Sequence, residues 1–384
     1  MRKINNIFVL TDTHMLTIQQ TEHMFFTILR AHLGLAPRPE SYELTETEWQ
    51  KLLDYSQVQG LVAVIYHEIV SHKSNLPLHV KAQWVLKVVP CKQKSVKQHE
   101  ALLRLRDLLA ARSIELVLLK GEALALLYPH PELRSCNDID FYTMGHFEEV
   151  NQLLLEQGAT ALPETGKHSS FLWEGVHLEN HRKINDDDYN EVQESIARYL
   201  GPGIDRNHLS DPRLPGILLP DADTGALFLM VHMLRHAPSN EMTLRQIADW
   251  VVYLKRYGNS LDWGYLDRVW REARMEHFVG MVVRFCREYF RCDSFPLDYS
   301  NTYNEEEYRL VREDILHGEP LPVRHSDSRY RQVRALTLNR LHFRRMYNVV
   351  YRERYYKYHR CFVLFFFLKK ILKIGPVVRE HAVE

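Results

Sequence analysis

The chain reads as an α+β protein: a small core of short strands set between an N-terminal and a C-terminal helical region. Three observations predict this. Apolar residues recur at helical spacing before residue 111 and again after residue 221. Between them lie short apolar runs bounded by glycine and proline, from Ile114 to Leu119 and from Phe171 to Arg182. Asp138-Ile139-Asp140 sits among these strands, and side chains that alternate with period two put both aspartates on one face and Ile139 on the other.

Taken in order, Glu22 to Leu33 and Glu46 to Val70 carry helical periodicity, with Thr45 or Thr47 as N-caps. Val80 to Ala111 reads as one or two long helices feeding the strand at Ile114. Lys120-Gly121 closes that strand, and Glu122 to Tyr128 consists of strong helix formers stopped by Pro129 and Pro131. A helix from His146 to Gln157 ends at Gly158. Next comes a hairpin turning at Glu174-Gly175, with His177, Glu179 and His181 on one face of its second strand. A helix spans Tyr189 to Tyr199, and Asp186-Asp187-Asp188 reads as its solvated start. Gly201-Pro202-Gly203 and Pro212 to Pro220 read as a linker. Helices are expected over 224–236, 243–257, 262–274 and 278–290, and a partly looped polar stretch over 301–327. The expected division is 1–94, a helical region; 95–200, the α/β core; 201–327, a C-terminal helical domain; and 328–384, a basic, aromatic-rich helical tail.

Composition is ordinary for a globular protein, with 45% hydrophobic and 26% charged residues, which argues against a disordered or fibrous chain. Five cysteines without a C-x-x-C pair argue for a reducing compartment and against a disulfide framework or zinc ribbon. No signal-peptide pattern and no apolar run long enough to span a bilayer are visible, so a cytoplasmic location is expected. The zero net charge hides an asymmetry: residues 328–374 hold thirteen Lys/Arg and one acid, interleaved with tyrosines. This tail reads as a packed helical extension, as a nucleic-acid-binding face with stacking aromatics, or as an interfacial helix on an anionic membrane.

The aspartate pair carries the chemistry. Two carboxylates side by side repel unless a cation lies between them, and hard oxygen donors favour Mg2+, which takes one or two carboxylates plus substrate phosphates. Lys120 and Arg134 are candidate phosphate contacts, one as a point charge and one through its fork. Gly121 fits a backbone turn close to phosphate. His177, Glu179 and His181 are also a candidate transition-metal trio, and His232 and His236 stand four apart on one helix face.

Strand, glycine, helix and Asp-x-Asp together resemble the nucleotidyltransferase fold of the DNA polymerase beta superfamily. The fuller set resembles an uncharacterised bacterial nucleotidyltransferase family. Its parts here are Leu118-Leu119-Lys120-Gly121, Tyr128 to Arg134, Asp138 to Asp140, the Glu179 strand, His232/His236, and Leu244 to Asp249. The resemblance implies a nucleotidyltransferase-type small mixed sheet core, with Asp138, Asp140 and Glu179 as catalytic metal ligands. It further implies NTP held near Lys120, Gly121, Arg134 and His181, with Mg2+ as cofactor, and NMP passed to an acceptor of unidentified class. Two departures stand out: Glu122 follows the glycine in place of a small residue, and the gap from Gly121 to Asp138 is longer than usual. A non-catalytic protein acting through its basic tail, or a metal-dependent phosphohydrolase, are the competing readings.

Overall fold

A computed structural model of the chain describes residues 12–162, 168–184, 191–239, 241–317 and 345–352. Four helices come first: α1 Asp12–His32, α2 Glu46–Val58, α3 Val62–Val70 and α4 Leu78–Ala110. Thr45 caps α2 in a reciprocal box, its hydroxyl accepting from the Glu48 N–H while its own N–H donates to the Glu48 carboxylate. The stretch expected as one or two helices is a single helix, α4, which runs through Pro90 on an exposed face.

The remaining elements are β1 Val117–Leu118, α5 Glu122–Ala125, β2 Ile139–Tyr142, α6 Phe147–Glu156, β3 Thr160–Ala161, β4 His168–Trp173 and β5 Val176–His181. After them come α7 Glu191–Arg206, β6 His208–Ser210, β7 Leu218–Pro220, α8 Ala222–His236, α9 Leu244–Tyr257, α10 Trp263–Glu272, α11 Glu276–Phe285 and α12 Glu305–His317. A π-helical turn over Cys286–Phe290 extends α11, and residues 345–351 are helical.

The seven strands form one mixed sheet in the order β3-β4-β5-β2-β1-β7-β6. Strand β2 is antiparallel to β1 and parallel to β5, with Asp140 paired to Glu179. The hairpin turn has φ of 52° at Glu174 and 80° at Gly175, the left-handed pair that matches the twist of two-residue hairpins. One sheet face, with Leu118, Ile139, Phe141 and Leu178, packs on the C-terminal half of α4 and on α6. Burying Val150, Leu153 and Leu154 of α6 there contributes about 1.5–3 kcal/mol each. The opposite face, with Val117 and Leu119, joins the helical core that includes α8 and α9. The site lies on this second face.

The α+β class with helical flanks is what the sequence predicts, and several details differ. The strand expected from Ile114 shrinks to Val117–Leu118. The helix expected to reach Tyr128 is a single turn, after which hydrogen bonds tighten to i→i+3 at Leu127 and Tyr128. Gly201-Pro202-Gly203 is no linker but part of α7. A Cβ at Gly203 would stand 2.5 Å from the Thr224 hydroxyl, so the glycine is what lets α7 close on α8. Pro212 to Pro220 contributes β7, whose Leu218 N–H donates to the Leu116 carbonyl, so the sheet continues past the boundary expected at residue 200. Asp186 to Asp188 and most of the basic tail lie outside the described residues. Among those described, no helix is long and apolar enough to cross a membrane.

Candidate active site

Register and alternation build the site. Asp138 immediately precedes β2 and Asp140 lies within it, while Ile139 turns into the opposite core. The parallel pairing of Asp140 with Glu179 brings the third carboxylate alongside. Ligand oxygens of Asp138, Asp140 and Glu179 all lie within 4.8 Å of one another. Because β1 runs antiparallel to β2, the residues that follow β1 fall beside the start of β2. Lys120 Nζ is accordingly 3.1 Å from Asp140 Oδ1 and 4.0 Å from Asp138 Oδ1. His181 Nε2 is also 3.1 Å from Asp140 Oδ1.

Asp140 is fully buried. Burial alone would raise its pKa, but Lys120 and His181 hold it well below the ordinary carboxylate range. Its second oxygen, Oδ2, is buried without a hydrogen-bond partner. Burial, then repulsion from Asp140, raises Asp138. Burial, then Asp140 and Asp138, pushes Glu179 up to about 8. Lys120 would be lowered by burial, yet Asp140, Asp138 and Glu179 raise it above the ordinary lysine value. The cluster thus holds three carboxylates against one ammonium, an excess of two negative charges when all are ionised. A hard divalent cation fits this set: the donors are oxygens, and an orphaned buried carboxylate oxygen costs free energy until it gains a partner.

The Gly121 turn is held from below. Gly121 adopts φ 66° and ψ −112°, a conformation open to glycine, and a Cβ there would meet the Asp138 carbonyl at 3.4 Å. Arg134, expected on a phosphate, is instead committed inside the protein. Its Nε and Nη2 donate to the two Asp249 oxygens at 2.7 and 2.6 Å, and Nη1 donates to the Gly121 carbonyl at 3.1 Å. Tyr128 adds a hydrogen bond to Asp249 at 2.9 Å. A buried guanidinium needs a bidentate partner, and Asp249 of α9 provides it. Glu122 turns away from the carboxylates to bond the His99 imidazole on α4, which accounts for an acid in that position.

His177 is exposed and is not the partner of Glu179 in a metal trio; the structure puts His168 there, opposite His181 across β4 and β5. Counting back from the Glu174-Gly175 turn would have found it. His232 lies close enough to Lys120 and Asp140 for their charges to act on it. Burial, then Lys120, holds its imidazole well below the ordinary histidine value, so it stays neutral. His236 pairs with Glu241 at 3.1 Å, its ring 4.5 Å from that of His232. Arg245, which the sequence passes over, donates to the Ser135 carbonyl at 2.8 Å and acts on Asp138 through its charge.

A carboxylate triad beside a lysine, on one face of a mixed sheet and approached by a glycine turn, defines the nucleotidyltransferase class. Residues 45–291 match a family described as uncharacterised nucleotidyltransferase, and the protein belongs to that family. The matched stretch contains every side chain of the site. No curated protein and no solved structure matches the chain.

Proposed function

We propose that the protein transfers a nucleoside monophosphate from an NTP to a hydroxyl-bearing acceptor and releases pyrophosphate. The supporting observation is that Asp138, Asp140 and Glu179 bring ligand oxygens within 4.8 Å of one another, with Asp140 Oδ2 buried and without a hydrogen-bond donor, in a chain of nucleotidyltransferase descent. The three carboxylates would hold Mg2+, which when bound neutralises triphosphate charge and polarises the α-phosphorus centre.

The chain's own groups account for the rest. Lys120 is positioned to meet triphosphate oxygens once its carboxylate partners are engaged, and Gly121 leaves the backbone open to them. Glu179, ionised once the cation has displaced its proton, would accept the acceptor's hydroxyl proton or ligate the ion that activates that hydroxyl. The acceptor oxygen then bonds the α-phosphorus, the α–β bridging bond breaks, and pyrophosphate leaves. Neutral His232 offers a hydrogen bond without adding charge.

The test uses NTP labelled at the α or γ phosphate, with Mg2+ and pools of sugars, peptides, nucleosides and RNA. Transfer of the α label with unlabelled acceptor consumed and pyrophosphate released is expected. Inorganic phosphate as the sole product would favour the phosphohydrolase reading instead.

A further inference from the structure

We propose that His168, Glu179 and His181 form a second cation site, which takes a first-row transition-metal ion of the Zn2+ type beside the all-oxygen Mg2+ site. The inference deepens the reading above, because Glu179 belongs to both donor sets; the imidazole pair does not depend on that reading.

Geometry carries it. His168 and His181 are directly paired across β4 and β5, and their rings are 5.2 Å apart. Directly opposed side chains of an antiparallel pair leave the same face of the sheet. Glu179 is two residues from His181 on that face, and its two oxygens divide between the histidines. Oε1 is 3.6 Å from His168 Nε2, and Oε2 is 3.9 Å from His181 Nε2. All three ligand atoms fall within 4.8 Å of one another.

Metal–ligand bonds of about 2.0–2.2 Å in a tetrahedron separate neighbouring donors by roughly 3.4 Å. The two histidine-to-glutamate separations of 3.6 and 3.9 Å exceed that edge by a few tenths of an ångström, within reach of small side-chain rotations. Two imidazoles and a carboxylate suit Zn2+ and its neighbours, whereas Mg2+ prefers oxygen and water.

The second observation is at Asp140. Its Oδ1 meets His181 Nε2 at 3.1 Å, while Oδ2 is buried with no partner. The same Nε2 is the atom 3.9 Å from Glu179 Oε2, so an ion arriving at His181 takes the place of its hydrogen bond to Asp140 and frees Oδ1 towards the neighbouring carboxylates. Asp140 therefore couples the two donor sets, with one oxygen on the histidine side and the other unfilled. An ion held by the histidines would also offset the repulsion that Glu179 experiences, so the two cations would assemble around a shared glutamate.

The experiment uses the full chain with saturating Mg2+ and Mn2+ as the spectroscopic probe. Electron spin-echo spectra should show nitrogen coupling to Mn2+, and the coupling should change when histidine is 15N-labelled. His168→Gln should weaken this Mn2+ at least tenfold and reduce its coupling from two histidine nitrogens to one. The exposed control His177→Gln and the oxygen-site variant Asp138→Asn should leave the coupling in place, and added Zn2+ should displace the coupled Mn2+ where further Mg2+ does not. Absence of nitrogen coupling in the wild-type protein would overturn the proposal whether or not any variant folds. Coupling and Mn2+ affinity left unchanged in His168→Gln, or coupling that disappears in Asp138→Asn, would also overturn it, since a single ion on the carboxylates beside His181 would then explain the spectra. Coupling without nucleotidyl transfer would sink the catalytic reading and leave this one standing; transfer without coupling would do the reverse.

Discussion

Two buried ionic clusters flank Gly121, and they are built on opposite terms. On one side, Arg134 and Asp249 are matched in charge and in geometry, with Tyr128 and the Gly121 carbonyl filling further positions. On the other, Asp138, Asp140 and Glu179 outnumber Lys120, and no N–H donor reaches the buried Asp140 Oδ2. A satisfied pair has nothing left to bind, so it serves as a clamp that fastens α9 to the glycine turn. An unsatisfied cluster stores repulsion that a ligand of the right charge relieves. The difference separates structural from functional charge more sharply than residue type does, since both clusters pair acids with a cation.

The contrast can be broken by substitution. Asp140→Asn should reduce transfer by about 10³-fold, the equivalent of roughly 4 kcal/mol of transition-state stabilisation, in a steady-state assay. Its far-UV circular dichroism should remain that of the wild type. Asp249→Ala should instead destabilise the fold by about 3–5 kcal/mol in a denaturant melt, because it strands a buried guanidinium. Replacing both partners, Arg134→Met with Asp249→Leu, should recover most of that loss. If the two single variants gave the same phenotype, the division into clamp and site would fail.

Protons sharpen the comparison. Glu179 has a folded pKa of about 8, above the ordinary carboxylate value, so the metal-free fold favours its protonated form. Stability from that proton is present at acid pH and is lost as pH climbs through 8. Mg2+ must displace the proton, so its affinity should rise by about tenfold per pH unit towards 8 and flatten above it, as titration calorimetry would show. Glu179→Gln should abolish that dependence. It should also raise the melting temperature of metal-free protein by about 2 °C or more above pH 8, where the native carboxylate is ionised. The smallest effect is expected at the shared turn: Gly121→Ala should cost about 1–3 kcal/mol for its φ of 66°.

The sequence made one cluster legible and hid the other. Asp138 and Asp140 sit one residue apart, and Glu179 lies in a hairpin strand whose turn is explicit, so local periodicity put each on a defined strand face, and the family resemblance is what joined the two strands. Arg134 and Asp249 meet across 115 residues, through a helix packed on the far side of the turn, and no local pattern announces such a contact. His168 was recoverable in principle from the hairpin register. The glycines of α7 misled for a physical reason: they read as breakers, but at Gly203 the missing side chain makes room for Thr224. Likewise β7 is too short to signal itself, and it exists because β1 offers it a partner.

The central claim is most directly tested by calorimetric titration of a non-hydrolysable NTP analogue into the wild-type protein and into Asp138→Asn/Asp140→Asn, each with and without Mg2+. The account predicts tight binding only to wild type and only with Mg2+. Equal binding by both proteins, or binding indifferent to the cation, would contradict it.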